Sequence, residues 1–148
     1  MQSQSGGQSW SSGQPGEADG PEPVVTAWRR LAARHAAVCA ALERELGDRH
    51  GLGVSDFEVL DRLAESAEHK FRAQELADAV HLSQSALSRL IGRLELHGLV
   101  ERCLCDLDRR GIYVTLTDAG RKRHAEALPT QRAVLTTRLP GENAVPGG

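Results

Sequence analysis

A change in the spacing of apolar residues is the feature that most constrains how this chain folds. A short helix is predicted over Ala73–Ala79, followed by a turn at Val80–Leu82 and a second helix capped by Ser83. Gly98 ends that helix, and from Val100 onward apolar and polar residues alternate as they do in a strand. Within the second helix, four apolar residues share one narrow arc: Leu87, Leu90, Ile91 and Leu94. The pattern predicts a helix-turn-helix followed by a strand.

The opposite face of the second helix is small, polar and cationic, which suits the major groove of DNA. Short serine side chains let a helix lie deep in a groove, and an arginine can bond in bidentate fashion to guanine. A helix N-terminus also favours a phosphate. The predicted DNA contacts on this helix are Ser83, Gln84, Ser85, Ser88, Arg89 and Arg93. From the helix alone, the two arginines are equally well explained as solvated surface residues.

A predicted β-hairpin favours the DNA-binding interpretation. The first strand covers 100–105, the turn covers 106–111, and the return strand covers 112–116. Arg109 and Arg110 lie together at the tip, where two like charges repel each other unless an anion is expected nearby. The hairpin therefore predicts a second contact with DNA.

Helices are predicted on both sides of this central region. The first covers 24–47 with Gly47 as its end, and the next begins with a capping box formed by Ser55 and Glu58. The last is capped by Thr117 and continues past Pro129 to residue 139. Residues 1–23 are rich in Ser, Gly and Gln and predict a disordered tail, and residues 140–148 predict a flexible one.

Three stretches in this order resemble the MarR family of winged-helix transcriptional regulators. They are residues 82–90, residues 93–102, and a region from Asp106 to Gly120 that contains the Asp-Leu-Asp-Arg-Arg and Val-Thr-Leu-Thr-Asp-Ala-Gly segments. The resemblance implies a mainly α fold with a small β-hairpin wing, in which a winged helix-turn-helix DNA-binding lobe (55–116) lies between dimerisation helices (24–47 and 117–139). It also implies a homodimer on a pseudo-palindromic DNA operator, more often a repressor than an activator.

The resemblance assigns further roles. The wing arginine Arg110 would enter the minor groove, braced by Asp108, with Arg109 beside it. A small-molecule effector is expected in such families. Their additional C-terminal dimerisation helix has no counterpart in 140–148, which leaves the strength of the dimer open.

Composition excludes several other classes of function. Aromatic residues make up 3% of the chain, too few for a stacking platform for single-stranded nucleic acid. The sequence contains no apolar run of the roughly 20 residues needed to span a membrane and no signal-peptide pattern, and three cysteines without framework spacing fit a reducing cytoplasm. We find no catalytic constellation and no phosphate-binding loop, so neither an enzyme nor a cofactor is predicted.

The sequence leaves open alternatives for what the protein senses and for which partner it binds. Cys39, one helical turn after His35, is a candidate redox sensor, although it is better explained as a small apolar residue packed inside the protein. His35, Cys39 and Glu43 share a helix edge and are weak candidates for zinc ligands. A winged-helix module that binds a protein partner instead of DNA is the remaining alternative.

Overall fold

The computed structural model describes Gly20 and residues 22–104 and 111–143 of the 148-residue chain. The described residues are mainly helical and include one small antiparallel sheet. The helices are α1 (Pro23–His50), α2 (Val54–Glu65), α3 (Ala73–Ala79), α4 (Gln84–Leu96) and α5 (Asp118–Arg138), and the strands are β1 (Lys70–Arg72), β2 (Val100–Leu104) and β3 (Ile112–Leu116).

The chain divides into two units between His35 and Ala36. The described part of the first unit is essentially the N-terminal half of α1, on which Val24, Trp28 and Leu31 are all more than 60% exposed. The second unit contains the end of α1, the other helices and the sheet. The predicted disordered tail (1–23) lies outside the described residues except for Gly20, Glu22 and Pro23, and Pro23 is already helical.

The first helix is longer than predicted, and the prediction that Gly47 ends it is wrong. The helix continues to His50, and Gly51 follows with a φ of +66°. A residue with positive φ stops a helix because the chain leaves the right-handed conformation there, and glycine adopts it without a side-chain clash. Gly47 needs no such conformation and is simply an exposed residue of the last turns.

The second helix is capped differently from the prediction. Its N-cap is Gly53, whose amide donates to Asp56 Oδ2 at 2.9 Å, so the predicted capping box of Ser55 and Glu58 is wrong. The next amide, of Val54, donates to the Glu43 carboxylate of α1 at 3.0 Å. Two carboxylates therefore accept backbone amides at the start of α2: that of Asp56, which is local, and that of Glu43, which belongs to α1.

The helix-turn-helix has the predicted boundaries. His81 ends the turn after α3 with a φ of +58°, and the Leu82 amide donates back to the Ala77 carbonyl at 3.0 Å. Ser83 caps α4, its hydroxyl accepting a hydrogen bond from the Ala86 amide at 3.1 Å. A residue with positive φ also follows the end of α4, where Gly98 has a φ of +72°.

The sheet has three strands rather than the two predicted. Its order is β1-β3-β2, and both pairings are antiparallel. Val114 of the central strand lies opposite Phe71 on one side and Arg102 on the other. A three-residue strand is too short to show an alternation in sequence, which is why β1 was not predicted.

One apolar core joins these elements within residues 36–143. The sheet supplies Val100 and Val114, and the helix-turn-helix supplies the four apolar residues of α4 predicted above. The largest fully buried side chains are Phe57, Leu46, Leu60, Leu63, Leu76, Leu87, Ile91, Val59, Val100 and Val114. Burial on this scale is the main source of stability for the unit.

The last helix begins at its predicted cap, where the Thr117 hydroxyl accepts from the Gly120 amide at 3.0 Å. It continues through Pro129 to Arg138. A single 3₁₀ turn follows at Pro140–Asn143, within the segment predicted to be flexible, and the rest of that segment lies outside the described residues. None of the described helices has an apolar stretch long enough to cross a bilayer.

Candidate nucleic-acid interface

The fourth helix has one buried and one exposed face, as its sequence period predicts. Its four apolar residues are 2–3% exposed and pack into the core. On the other side, Gln84, Ser85, Ser88 and Arg89 are exposed, and a Cβ added to Gly92 would meet nothing within 4 Å. We call this surface the polar face of α4 and define it by these five residues.

The N-terminus of α4 is held by local hydrogen bonds. Ser83 is engaged in capping, and its oxygen also lies 3.3 Å from the Ser85 hydroxyl. The Gln84 side-chain amide donates weakly to the Gln74 carbonyl of α3, at 3.4 Å. Ser83 is therefore chiefly a structural residue, whereas Gln84 and Ser85 keep exposed polar atoms.

The two predicted arginines of α4 have different surroundings. Arg93 forms an ion pair with Asp56 of α2 (Nη2 to Oδ1, 3.2 Å), which attaches the polar side of α4 to the neighbouring helix. Arg89 is exposed and, among residues 22–104 and 111–143, has no hydrogen-bond or ion-pair partner. An arginine that has no partner in the protein can bind an external anion without first breaking an ion pair. Arg89 is therefore better placed than Arg93 to bind such an anion.

The wing, which we define as the hairpin of β2 and β3, lies beside α4 and is attached to it by a residue not predicted from sequence. The Arg102 guanidinium donates from Nη2 to the Ser88 carbonyl at 2.7 Å, and its Nη1 lies 3.3 Å from Glu95 Oε1. Sequence spacing does not reveal this contact, because it depends on how the strand packs on the helix. The only feature of the sequence that hints at this contact is the opposite charge of Glu95 and Arg102, which lie on either side of the end of α4.

The predicted wing-tip residues Asp108, Arg109 and Arg110 lie outside the described residues. The strands that support the tip are paired to their ends, with Leu104 opposite Ile112. The two predicted wing strands and their antiparallel pairing are therefore confirmed, and the roles of the three tip residues stay predictions.

Additional positive charge lies on the sheet. The Tyr113 ring of β3 is flanked by Lys70, with Nζ 5.1 Å from the ring centroid, and by Arg72, with Cζ 5.6 Å away. Both cations belong to the unpredicted strand β1. The contact of two cations with one ring places positive charge on the sheet that carries the wing.

A buried polar cluster attaches α5 to α2. Asp61 is 8% exposed, and its carboxylate lies 2.7 Å from His124 Nε2 and 3.4 Å from Arg132 Nη1. The His124 ring also stacks on Phe57, with centroids 5.4 Å apart. Buried polar atoms with partners avoid a desolvation penalty, so the cluster fixes α5 against the body that carries α4.

The described residues give no support to the zinc site considered for His35, Cys39 and Glu43. They contain no group of three or more His, Cys, Asp or Glu residues that could hold a metal ion. The Glu43 carboxylate instead accepts the Val54 amide of α2. Cys39 is half-buried, and a redox role for it stays a prediction.

An open cleft of about 290 Å³ lies between the C-terminal half of α1 and α5. Its lining combines small apolar residues with arginines from both helices, and the two arginines of α1 pair with Glu45. The lining residues are Ala41, Arg44, Glu45, Arg49, Thr130, Ala133, Val134, Thr137 and Arg138. The cleft could admit a small molecule with an anionic group.

The architecture of the described residues defines a class. Two helices joined by a tight turn, followed directly by a β-hairpin packed beside the second helix, make a winged helix-turn-helix. A model of the MarR family matches residues 50–111.

Known proteins support a family assignment. The chain is 31% identical to AbsC, a MarR family transcriptional regulator from Streptomyces coelicolor, with 84% of each chain covered and a TM-score of 0.76. It is 28% identical to Sco3205, a MarR family regulator from the same organism whose structure is a complex with DNA, covering 82% of this chain and 76% of Sco3205 with a TM-score of 0.75. The chain belongs to the MarR family.

A curated relative matches over a shorter region. The transcriptional repressor MprA of Escherichia coli K12 is 32% identical over 85 residues, which are 57% of this chain and 48% of MprA. The chain thus spans about half the length of this relative.

Proposed function

We propose that this chain is a transcriptional repressor that binds double-stranded DNA sequence-specifically, as a homodimer on a pseudo-palindromic operator. It acts in the cytoplasm and is a regulator rather than an enzyme. Family membership supports this proposal, together with a relative that is a transcriptional repressor and another whose structure is a complex with DNA.

The observation that carries the proposal is the polar face of α4. Its opposite side is buried in the core, so the helix cannot rotate to hide the exposed face. On that face Arg89 is exposed and lacks a partner in the described part of the chain, while Ser85 and Ser88 are short. An exposed helix with small polar residues and an available arginine has the shape and the donors to read base edges in the major groove.

Each predicted contact residue has a distinct part in this proposal. Arg89 bonds to guanine O6 and N7, and Gln84 reads an adenine edge. Ser83, Ser85 and Ser88 allow close approach, and Arg93 contacts phosphate from the edge of the groove. In the wing, Arg110 reaches the minor groove with Arg109 beside it, and Asp108 braces the tip.

The homodimer is supported by the N-terminal half of α1. Val24, Trp28 and Leu31 are 69%, 64% and 62% exposed and recur at four- and three-residue spacing, so they form one apolar stripe. A stripe of this kind is typical of a helix that buries its face against another protein surface. We propose that a second copy covers it.

An effector would act through the body of the protein rather than through α4. The cleft between α1 and α5 is lined by Arg44, Arg49 and Arg138, of which Arg44 and Arg49 also pair with Glu45, and by the apolar Ala41, Ala133 and Val134. This combination fits a small molecule with a carboxylate or other anionic group. We propose that such a molecule modulates DNA binding.

Selection of duplexes from a random-sequence pool, followed by affinity measurement, tests the proposal. We expect the chain to enrich a sequence with two related half-sites about one helical turn (~10 bp) apart. Arg89→Ala should weaken binding to the enriched duplex by roughly 5- to 150-fold, since a bidentate base contact contributes about 1–3 kcal/mol of discrimination.

Arg62→Ala is the matched control. It removes the same charge from a half-buried i,i+4 ion pair with Glu58 on α2, a helix that supplies none of the five residues of the polar face of α4. Such a pair contributes at most about 1 kcal/mol to stability, so DNA affinity should change less than about twofold. Failure of the parent chain to enrich any sequence at moderate salt would refute the proposal.

A further inference from the structure

The guanidinium of Arg102 joins the wing to the proposed recognition helix at two points. Nη2 donates to the Ser88 carbonyl at 2.7 Å and lies 3.4 Å from the Ser88 hydroxyl, and Nη1 pairs with Glu95 at 3.3 Å. Ser88 belongs to the polar face of α4, whereas Glu95 lies near the end of the helix. One strand residue therefore contacts two different turns of α4.

The two contacts constrain different motions of the helix. A helical carbonyl points toward the C-terminus, and side chains lean toward the N-terminus, so the Ser88 carbonyl and the Glu95 carboxylate converge on the space between them. A planar guanidinium placed there opposes both sliding of α4 along its axis and rotation about it. The backbone of Arg102 is itself held in the sheet, opposite Val114.

We propose that Arg102 is a positioning residue that fixes the register of α4 relative to the wing. The inference rests on the proposed function, because the register matters only if both elements bind the same duplex. Base contacts need side chains placed to a fraction of an ångström, whereas phosphate contacts tolerate small displacements. Loss of Arg102 should therefore reduce sequence-specific binding more than binding to random DNA.

Direct contact of Arg102 with a phosphate is the competing role, and Glu95 distinguishes the two. The Arg102 side chain is 38% exposed, and its two terminal nitrogens already have acceptors in the protein. If the pair only contributed charge, removing the carboxylate would strengthen binding to any DNA. If Glu95 holds Arg102 in place, removing the carboxylate weakens specific binding instead.

The test compares Arg102→Gln, Arg102→Lys, Glu95→Gln and the Arg102→Gln/Glu95→Gln double variant. Each is measured on the duplex that the parent enriches from a random pool and on a scrambled duplex of equal length. Thermal unfolding of each variant without DNA confirms that it folds. The slope of log K against log salt counts phosphate contacts, each of which contributes about 0.9.

For Arg102→Gln we expect roughly tenfold weaker binding to the enriched duplex, less than about threefold weaker binding to the scrambled one, and an unchanged salt slope. Glu95→Gln should also weaken binding to the enriched duplex. The double variant should lose no more than Arg102→Gln alone, because both substitutions break the same contact. Arg102→Lys keeps the charge without the planar fork and should recover only part of the specificity.

Equal losses on both duplexes with a slope lower by about 0.9 would show a phosphate contact and overturn the inference. Tighter binding of Glu95→Gln to both duplexes would overturn it as well. Either result, obtained while the parent still discriminates between the duplexes, leaves the proposed function intact. A parent that does not discriminate refutes the proposed function itself.

Discussion

Gly120, in the first turn of α5, occupies a position with no room for a side chain. A Cβ at this position would lie 2.1 Å from the Leu99 carbonyl oxygen and 2.7 Å from Leu116 Cδ1. The leucine side chain can rotate away, but the carbonyl is held because it accepts the Thr117 amide at 3.1 Å. Gly120→Ala must therefore shift the start of α5 away from the end of α4.

The expected loss of stability follows from two opposing effects. Overpacking of a well-packed site costs about 1–3 kcal/mol, and the upper part of that range applies because the obstacle is backbone. Alanine gains about 0.5–1 kcal/mol over glycine within a helix. The free energy of unfolding should therefore fall by about 1–2 kcal/mol, which lowers Tm by roughly 2–8 °C in a chain of this size.

Gly47→Ala on α1 is the matched control, because the same substitution there meets nothing within 4 Å. It should raise the free energy of unfolding by about 0.5–1 kcal/mol. Both variants are compared with the parent by urea and thermal denaturation at one protein concentration, since the proposed homodimer would make Tm depend on concentration. If Gly120→Ala were as stable as the parent, the close approach of α5 to the end of α4 would be wrong.

Three further substitutions test local features by the same denaturation assay. Ser83→Ala removes the hydroxyl that accepts the Ala86 amide and should cost about 0.5–2 kcal/mol, and an unchanged urea midpoint would contradict the cap. Gly98→Ala places a side chain at a φ of +72° and should cost about 1–2 kcal/mol, and a stabilised variant would contradict this helix end. Asp61→Ala removes the acceptor of the buried His124 and should cost about 1–3 kcal/mol, with Asp61→Asn losing less; equal stability of both variants would contradict the buried cluster.

The helix-turn-helix could be predicted from sequence because local chemistry determines it. The period of the apolar residues in α4 set its buried face, and Ser83 and Gly98 marked its ends. Caps and left-handed glycines act within a few residues, so their effect is visible in sequence. The two strands of the wing follow from the same kind of local pattern.

The sequence predictions are wrong at helix ends whose position depends on a distant residue or on the conformation of the backbone. Gly47 has the residue type that ends a helix, but the chain turns only at Gly51. At the start of α2, Asp56 and Glu43 of another helix accept the backbone amides in place of the predicted Ser55 and Glu58. Both outcomes depend on how α1 and α2 pack, and residue type alone does not contain that information.

In the candidate site, too, features set by the local sequence could be predicted and contacts between elements could not. Exposure of Ser85, Ser88 and Arg89 followed from the helical period, whereas the pairing of Arg93 with Asp56 did not. Arg102 was not predicted as part of the site because its partners lie on a different element. Long side chains reach partners across the tertiary structure, and sequence spacing does not indicate which ones.

Recognition of DNA sequence by the polar face of α4 is best tested by the affinity of the parent chain for its enriched duplex, relative to a scrambled duplex of equal length. At a salt concentration of about 150 mM we expect a ratio of the two affinities of roughly 10³ or more, as for specific DNA-binding proteins. Arg89→Ala should lower that ratio, and Arg62→Ala should leave it unchanged. A ratio near one for the parent would show that the polar face of α4 does not read DNA sequence.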